Sequence, residues 1–251
     1  MSNAANIRPV LLVTGAARRI GAAIVELFHA RGYDVLIHCR HSIADATTLR
    51  DALNDRCADS ALCLQADLCN LQAVEKLAAA ALAWRGRIDV LINNASSFYP
   101  TAMGQTSAAH WDDLLGSNLK GPFFLSQALS PTLRANHGCI INMTDMHADA
   151  GLQGYAAYSI AKAGVKMMTK SLARELAPDV RVNGISPGAI LWPEHADNED
   201  TQQRILRSIA LGQLGTPANI ADTAWFLAAT AHYMTGQTIR VDGGRTVDNS
   251  L

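Results

Sequence analysis

The sequence predicts an α/β protein: one domain on a doubly wound parallel sheet, with helices on both faces. Three observations predict it. The chain opens with a short branched run, Val10-Leu11-Leu12-Val13, then a glycine-bearing turn and a helix. Short apolar runs alternate with helical segments from there to the end, the layout of parallel strands joined by crossover helices. No repeat, low-complexity tract or linker interrupts the 251 residues, so one domain is the economical account.

The run over 10–13 reads as a strand buried on both faces. Residues 14–21 then turn into a helix over 22–31, which Gly32 stops. Gly15 permits a tight turn and Gly21 a close approach. Such a turn presents backbone N–H groups and a helix N-terminus to a pyrophosphate. Gly15, Arg19 and Ile20 are thus candidates for a Rossmann-type dinucleotide site, with Arg19 standing where the middle glycine of the usual fingerprint would be. The second strand, 34–39, leads into His38-Cys39-Arg40-His41-Ser42 and lacks the acid that usually holds the ribose hydroxyls of NAD. Arg40 instead offers a guanidinium fork to a 2′-phosphate, with His38, His41 and Ser42 as further partners, which favours NADPH. A helix over 43–56 and a third strand over 61–65 follow, and Asp67-Leu68 lies where an adenine edge would be met.

An alanine-rich helix over 71–84 precedes the fourth strand, 88–92. Asn94, Ala95, Ser96 and Phe98 come after it, beyond a strand's carboxyl end, where ligands sit in such sheets. Residues 106–134 contain a long helical segment with Asn118 inside it. That asparagine is a poor local choice; it is either a satisfied core amide or a break that frees a carbonyl to hold water. The fifth strand, 139–143, ends at Thr144-Asp145. A helix over 154–177 stops before Pro178. The sixth strand, 180–185, runs into Ser186-Pro187-Gly188 and Ile190. An acidic loop over 192–200 and a helix over 202–211 read as a cover over the site, spanning about residues 190–212. A helix over 217–229 and a last strand over 238–241 complete about seven strands, in the order 3-2-1-4-5-6-7.

Hydrophobic residues at 49% and charged residues at 17% suffice for a sizeable core and exclude disorder. A formal net charge of −1 provides no basic field for nucleic acid or a membrane surface. No apolar run approaches the roughly 20 residues of a membrane span, and the N-terminus lacks a signal-peptide layout. Five cysteines without a Cys-x-x-Cys pair read as free thiols, which places the chain in the cytoplasm. Glu194, His195 and Asp197 read as a solvated loop, so no metal is expected. His29, His110, His137, His147 and His232 have no constellation around them and receive no role.

Tyr158 and Lys162 are four apart and share one face of their helix. In a desolvated site the ammonium favours the phenolate and lowers the tyrosine pKa from about 10. The phenol then becomes a usable proton donor. By itself this spacing also suits any solvated pair, and the rest of the chain has to choose.

Taken together, these residues resemble the short-chain dehydrogenase/reductase family. Thr14-Gly15 with Gly21, Asn93-Asn94-Ala95, Asn118, Tyr158 with Lys162, Ser186-Pro187-Gly188 and Asp242-Gly243-Gly244 occur in the family's order across nearly the whole chain. The resemblance implies that Tyr158 is the proton donor. It implies that Lys162 lowers the tyrosine pKa and holds the nicotinamide ribose, and that Asn118 supports a relay water. Two departures are informative. Most members carry a catalytic serine where this chain has Asp145, and Ser159 cannot stand in, because neighbours on a helix point apart. The second is Arg19. Both are similar to the pteridine reductase branch, which uses Asp, Tyr and Lys, and so is the segment 94–100 with Phe98. His38 with Ser42 also resembles that branch's NADPH-binding strand end.

What the branch resemblance implies is NADPH as cofactor and a dihydropterin, or dihydrofolate, as substrate. Hydride goes to a C=N carbon and a proton to nitrogen. Arg19, Ser96, Phe98, Asp145 and Tyr158 would face the substrate, with Phe98 stacked on the pterin. Asn94, Ala95, Ser96, Tyr158, Lys162, Pro187, Gly188 and Ile190 would face the cofactor. The family resemblance also implies a homotetramer. Tyr155 either lines the same pocket or packs beneath it. Two other readings stand beside this one: a reductase of 3-oxoacyl thioesters or other ketones, against which Asp145 and Phe98 argue, and a non-catalytic dinucleotide-binding sensor, against which Tyr158, Lys162 and Asn118 together argue.

Overall fold

Seven short runs of mostly branched apolar residues form one parallel sheet in the order β3-β2-β1-β4-β5-β6-β7. The computed structural model describes residues 8–192 and 199–247. The strands are β1 Val10–Val13, β2 Asp34–Cys39, β3 Ala61–Gln65, β4 Val90–Asn93, β5 Cys139–Met143, β6 Arg181–Pro187 and β7 Thr238–Val241. Among the described residues the helices are α1 Arg19–Ala30, α2 Ile43–Arg56, α3 Leu71–Arg85, α4 Ala108–Leu115, α5 Gly121–Ala135, α6 His147–Ala150, α7 Ala156–Glu175, α8 Glu199–Arg207 and α9 Pro217–Ala229, with a π-helical turn, Gly116–Lys120, between α4 and α5.

Alternation along the central strands explains why both faces are covered. Leu11 and Val13 of β1 join a core with Ile24, Val25 and Phe28 of α1 and Ile220, Ala224 and Leu227 of α9. Val10 and Leu12 point the other way, into a core with Leu77 of α3, Leu125 and Leu129 of α5 and Val165 and Leu172 of α7. A parallel strand has no solvated face, so its residues are apolar without a break. The strand order reverses between β1 and β4, and a crevice opens there at the carboxyl ends, the usual place for a ligand in such a sheet.

The segment expected as one long helix is two helices separated by the π turn that carries Asn118. Close packing accompanies the break. A Cβ on Gly116 would lie 2.9 Å from Cys69 Sγ, and one on Gly121 would lie 2.5 Å from the Leu68 carbonyl oxygen. The extra residue of a π turn lets this stretch lie against the loop after β3 and still rejoin α5 in register. The covering helix is α8, Glu199–Arg207, which begins and ends earlier than expected. Much of the acidic loop before it, with Glu194, His195 and Asp197, lies outside the described residues.

The first turn is as tight as its glycines suggested. A Cβ on Gly21 would come within 2.4 Å of the Gly15 carbonyl oxygen and 2.7 Å of Ala16 Cα, both backbone atoms that cannot swing aside. Gly21→Ala is therefore expected to lower the unfolding free energy by about 1–3 kcal/mol, the range for overpacking a tight site. Urea denaturation reads this directly, and an unchanged midpoint with an unchanged slope would show that the turn has room to give.

Candidate active site

The turn after β1 is held from three sides. Thr14 Oγ1 accepts the backbone N–H groups of Asn94 and Ala95, each at 3.0 Å. Asn94 Nδ2 donates to the carbonyls of Thr14 and Gly15, each at 2.9 Å. From beneath, His38 Nδ1 accepts the Gly15 N–H at 3.2 Å, while Nε2 lies 3.1 Å from the Ala66 carbonyl. Burial lowers the His38 pKa to about 4, so the ring is neutral, with its proton on Nε2 facing that carbonyl. This corrects the expected phosphate contact: both His38 nitrogens are used inside the protein, and the ring shapes the turn instead of facing a ligand. Asn94 and Ala95 likewise fasten the turn, although Asn94 also reaches the crevice.

Arg19 adopts φ +54°, beside Gly15 at φ +62°. An L-residue there costs on the order of 1–2 kcal/mol. Arg19 thus keeps the backbone of the glycine it replaces while adding a guanidinium that lines the crevice. The crevice has a volume of about 940 Å³. Arg19, Ile20, Asn94, Ser96, Phe98, Asp145, Tyr158, Lys162, Pro187, Gly188 and Ile190 all line it, as expected, and so do Tyr155, Trp192 and Arg245. A nicotinamide dinucleotide fits these residues: the turn is too close-packed for any side chain at Gly15 or Gly21, and α1 aims its N-terminus into the same space.

Tyr158, Lys162 and Asp145 meet at the crevice floor. The Tyr158 hydroxyl donates to Asp145 Oδ2 at 2.7 Å. Lys162 Nζ donates to the Met143 carbonyl at 3.0 Å and lies 5.7 Å from the centroid of the Tyr158 ring. The expected acidification of Tyr158 by Lys162 is not what this arrangement produces. Burial, then the charge of Asp145 and the hydrogen bond to it, push the phenol well above its ordinary value, and Ser96 pulls down too weakly to matter. Burial lowers Lys162 to about 8. Asp145 is held below the ordinary carboxylate range. Burial pushes it up, but hydrogen bonds from the His147 ring, the His147 backbone and Tyr158 outweigh that. In its ground state the site is a neutral phenol donating to an ionised carboxylate.

His147, which the sequence left without a role, supplies two of those bonds. Its backbone N–H and its ring Nδ1 lie 2.8 Å and 2.7 Å from Asp145 Oδ1. Only its position two residues after Asp145 hinted at this. Asn118 resolves toward the satisfied amide. Its Oδ1 accepts the Ser96 hydroxyl at 2.6 Å, and its Nδ2 donates to the carbonyls of Ser97 and Leu114 at 3.0 and 2.9 Å. Asn118 therefore fixes the loop after β4 from below and does not line the crevice.

That loop carries Phe98, half exposed and stacked on Tyr155 with centroids 4.6 Å apart and planes at 13°. The Phe98 ring also meets the Tyr158 ring edge-on at 4.8 Å. A backbone hydrogen bond from Thr101 N–H to the Gly154 carbonyl ties the loop to the entrance of α7. The result is an aromatic wall against the Tyr158 ring, on the rim of the crevice.

The outer end of the site departs more from expectation. Arg40 is held by two carboxylates, Asp67 at 3.0 Å and Asp113 at 2.9 Å. Asp113 also accepts from the Tyr99 hydroxyl at 3.1 Å. Arg40 thus ties β2 to α4, and two anions already occupy the fork expected for a phosphate. Leu68 is buried, with its carbonyl and Cβ against Gly121 at the start of α5. Arg18, to which the sequence assigns no role, reaches Ser42 Oγ and lies 3.4 Å from Asp45. Arg18 is exposed.

Known proteins resemble this chain along nearly its whole length. A family model described as enoyl-(acyl carrier protein) reductase matches residues 15–246. Pteridine reductase 1 of Leishmania tarentolae is 37% identical, across 94% of this chain and 96% of its own. The 3-oxoacyl-acyl-carrier-protein reductase FabG of Staphylococcus aureus is 35% identical across 93% and 96%. The 3-oxoacyl-acyl-carrier-protein reductase of Synechocystis is 38% identical across 94% and 96%. Among the described residues no helix is long and apolar enough to cross a membrane, and no group of three or more potential metal ligands is present.

The lysine carries a measurable cost. Its folded pKa, about 8, lies below the 10.5 of a free lysine. The unfolded chain therefore binds the extra proton between these values. The penalty is full below pH 8, at a few kcal/mol by order of magnitude, and fades as pH rises toward 10.5. Lys162→Met should raise the thermal midpoint at pH 7 and lose that advantage by pH 10. A midpoint that falls at both pH values would show that the ammonium's bond to Met143 outweighs its desolvation.

Proposed function

The chain belongs to the short-chain dehydrogenase/reductase family, and from that premise we propose that it is an NADPH-dependent pteridine reductase, reducing a C=N bond of a dihydropterin, with dihydrofolate as a larger guest. Relatives of two kinds match at similar identity, so the reading rests on the site.

One observation carries it: the ionised carboxylate of Asp145 on the hydroxyl of Tyr158. Reducing a ketone builds negative charge on oxygen, which needs donors around it. A carboxylate has none to give and repels that charge. Reducing a C=N bond protonates nitrogen, and a neighbouring anion favours the positive charge that gathers there. The aromatic wall of Phe98 and Tyr155 supports the same reading, since a flat heterocycle takes a stacked face where an acyl chain does not need one.

Bound NADPH supplies the hydride. Tyr158 donates its proton to the ring nitrogen, and Asp145 directs that hydroxyl. Lys162, anchored on the Met143 carbonyl, would hold the nicotinamide ribose. Arg19 lies between the phosphate turn and the substrate space. At the outer end Arg18, His41 and Ser42 take the 2′-phosphate, with Arg40 setting the strand end behind them. The proposed assembly is a cytoplasmic homotetramer, with the exposed Phe123 of α5 and Met167 of α7 on a paired face.

NADPH oxidation, followed by absorbance with 7,8-dihydropterin, dihydrofolate and acetoacetyl thioester in parallel, tests the substrate class. Turnover of the dihydropterin is expected, and turnover of the thioester alone would sink the reading. Tyr158→Phe should lower kcat by about a hundredfold or more while leaving NADPH affinity intact.

Arg18→Ala should weaken NADPH binding by about tenfold or more, the worth of one charge-assisted phosphate contact, and leave NADH binding unchanged. Equal losses for both nucleotides in a fluorescence titration would remove Arg18 from the 2′-phosphate site.

A further inference from the structure

We propose that His147 is a positioning residue for the proton transfer: its ring locks the Asp145 carboxylate in the orientation that holds the Tyr158 hydroxyl in place. The inference rests on the reading of Tyr158 as proton donor given above.

Asp145 lies between β5 and α6, outside any strand or helix. The χ2 torsion of an aspartate is broad, so nothing intrinsic fixes the plane of its carboxylate. Three hydrogen bonds fix it here. Oδ2 accepts from Tyr158 at 2.7 Å, and Oδ1 accepts from the His147 backbone at 2.8 Å and from its ring at 2.7 Å. The backbone bond comes with the turn and tolerates rotation about it. The ring bond supplies the second direction that rotation would break. An ionised carboxylate only accepts, so ring Nδ1 must carry the hydrogen. That leaves Nε2 as the other end of the ring. Among the described residues no side chain hydrogen-bonds Nε2, and the ring is about 20% exposed.

The consequence for the proton follows from charge. A carboxylate with donors on Oδ1 has less electron density to spend on Oδ2, and so grips the phenol proton less tightly. Without the ring donor, Asp145 is more basic and free to turn. Tyr158 then holds its proton harder, and its oxygen is placed less reliably in the crevice. No bond is made or broken at His147 itself.

The test compares His147→Ala, His147→Asn and His147→Leu in the full-length protein, with whichever substrate the parallel assay turns over. The asparagine amide places an N–H close to where Nδ1 stands, and leucine fills the volume without a donor. His147→Ala and His147→Leu are expected to lower kcat about ten- to a hundredfold, the size of effect that losing a hydrogen bond supporting a reactive group has. NADPH affinity should be unchanged. His147→Asn should recover most of the loss. If the alanine variant does not fold, the asparagine and leucine variants make the same comparison. Activity of the alanine and leucine variants within about twofold of the wild type would overturn the proposal. So would equal impairment of the asparagine and leucine variants, which would reduce His147 to packing. If Tyr158→Phe also kept full activity, the fault would lie with the proton-donor reading and not with His147.

Discussion

One hydrogen bond organises the site: the phenol of Tyr158 on the ionised carboxylate of Asp145. It joins the carboxyl end of β5 to the face of α7, and it exists because the sheet is parallel. β5 and β6 run the same way, so the crossover α7 must pack back across the sheet and bring its first turns over the end of β5. Residues that the sequence separates by a loop and a helical turn therefore meet at 2.7 Å. On the far side of the crevice the same topology brings Thr14 and Asn94 together across β1 and β4.

The floor of the crevice concentrates groups that a stability-driven sequence would avoid. Lys162 is buried with a depressed pKa, Asp145 is ionised while largely enclosed, and Arg19 takes a backbone conformation that suits glycine. Each departs from what packing alone would choose, and all three line one cavity. Unfavourable choices scattered through a fold would be noise. Gathered on one surface, they mark where the fold gives up stability for chemistry. The same logic separates His38 from the others. It too is buried with a depressed pKa, but both its nitrogens are satisfied and no part of it reaches the crevice. Perturbation alone does not make a functional group.

Periodicity and punctuation made most of the fold legible. The alternation of branched runs with helical segments predicted a doubly wound parallel sheet and the seven strands in it, because local patterning and burial agree along nearly the whole chain. What stayed hidden depended on contacts that no local pattern records. The π turn at Asn118 comes from two glycines packed against the loop after β3, which a helical period does not reveal. Arg40 looked like a free phosphate partner, and its pairing with Asp113 bridges 73 positions of sequence. The tyrosine–lysine spacing was right about which face the two share. The consequence differs, because burial and Asp145 govern Tyr158, and the ammonium lies 5.7 Å from the centroid of its ring. His147 was missed for the opposite reason. Its contact is so local that it looks like ordinary loop geometry until the carboxylate it holds is seen to face the Tyr158 hydroxyl.

Replacing a hydroxyl with a carboxylate beside the tyrosine inverts what the site can stabilise. A serine there would donate, and a site with two donors favours an oxyanion. Asp145 accepts, so the pair presents one proton backed by negative charge. Such a pair suits a substrate atom that ends the reaction bearing the proton and begins it basic enough to want one. On the proposed reading a ring nitrogen meets both conditions, whereas a ketone oxygen, which also ends protonated, is only weakly basic at the start and gathers negative charge that the carboxylate opposes. The upward shift of Tyr158 is compatible with the proposed reading: a phenol with so high a pKa does not lose its proton to solvent, and the stacked rings of Phe98 and Tyr155 would offer a flat heterocycle a face beside it.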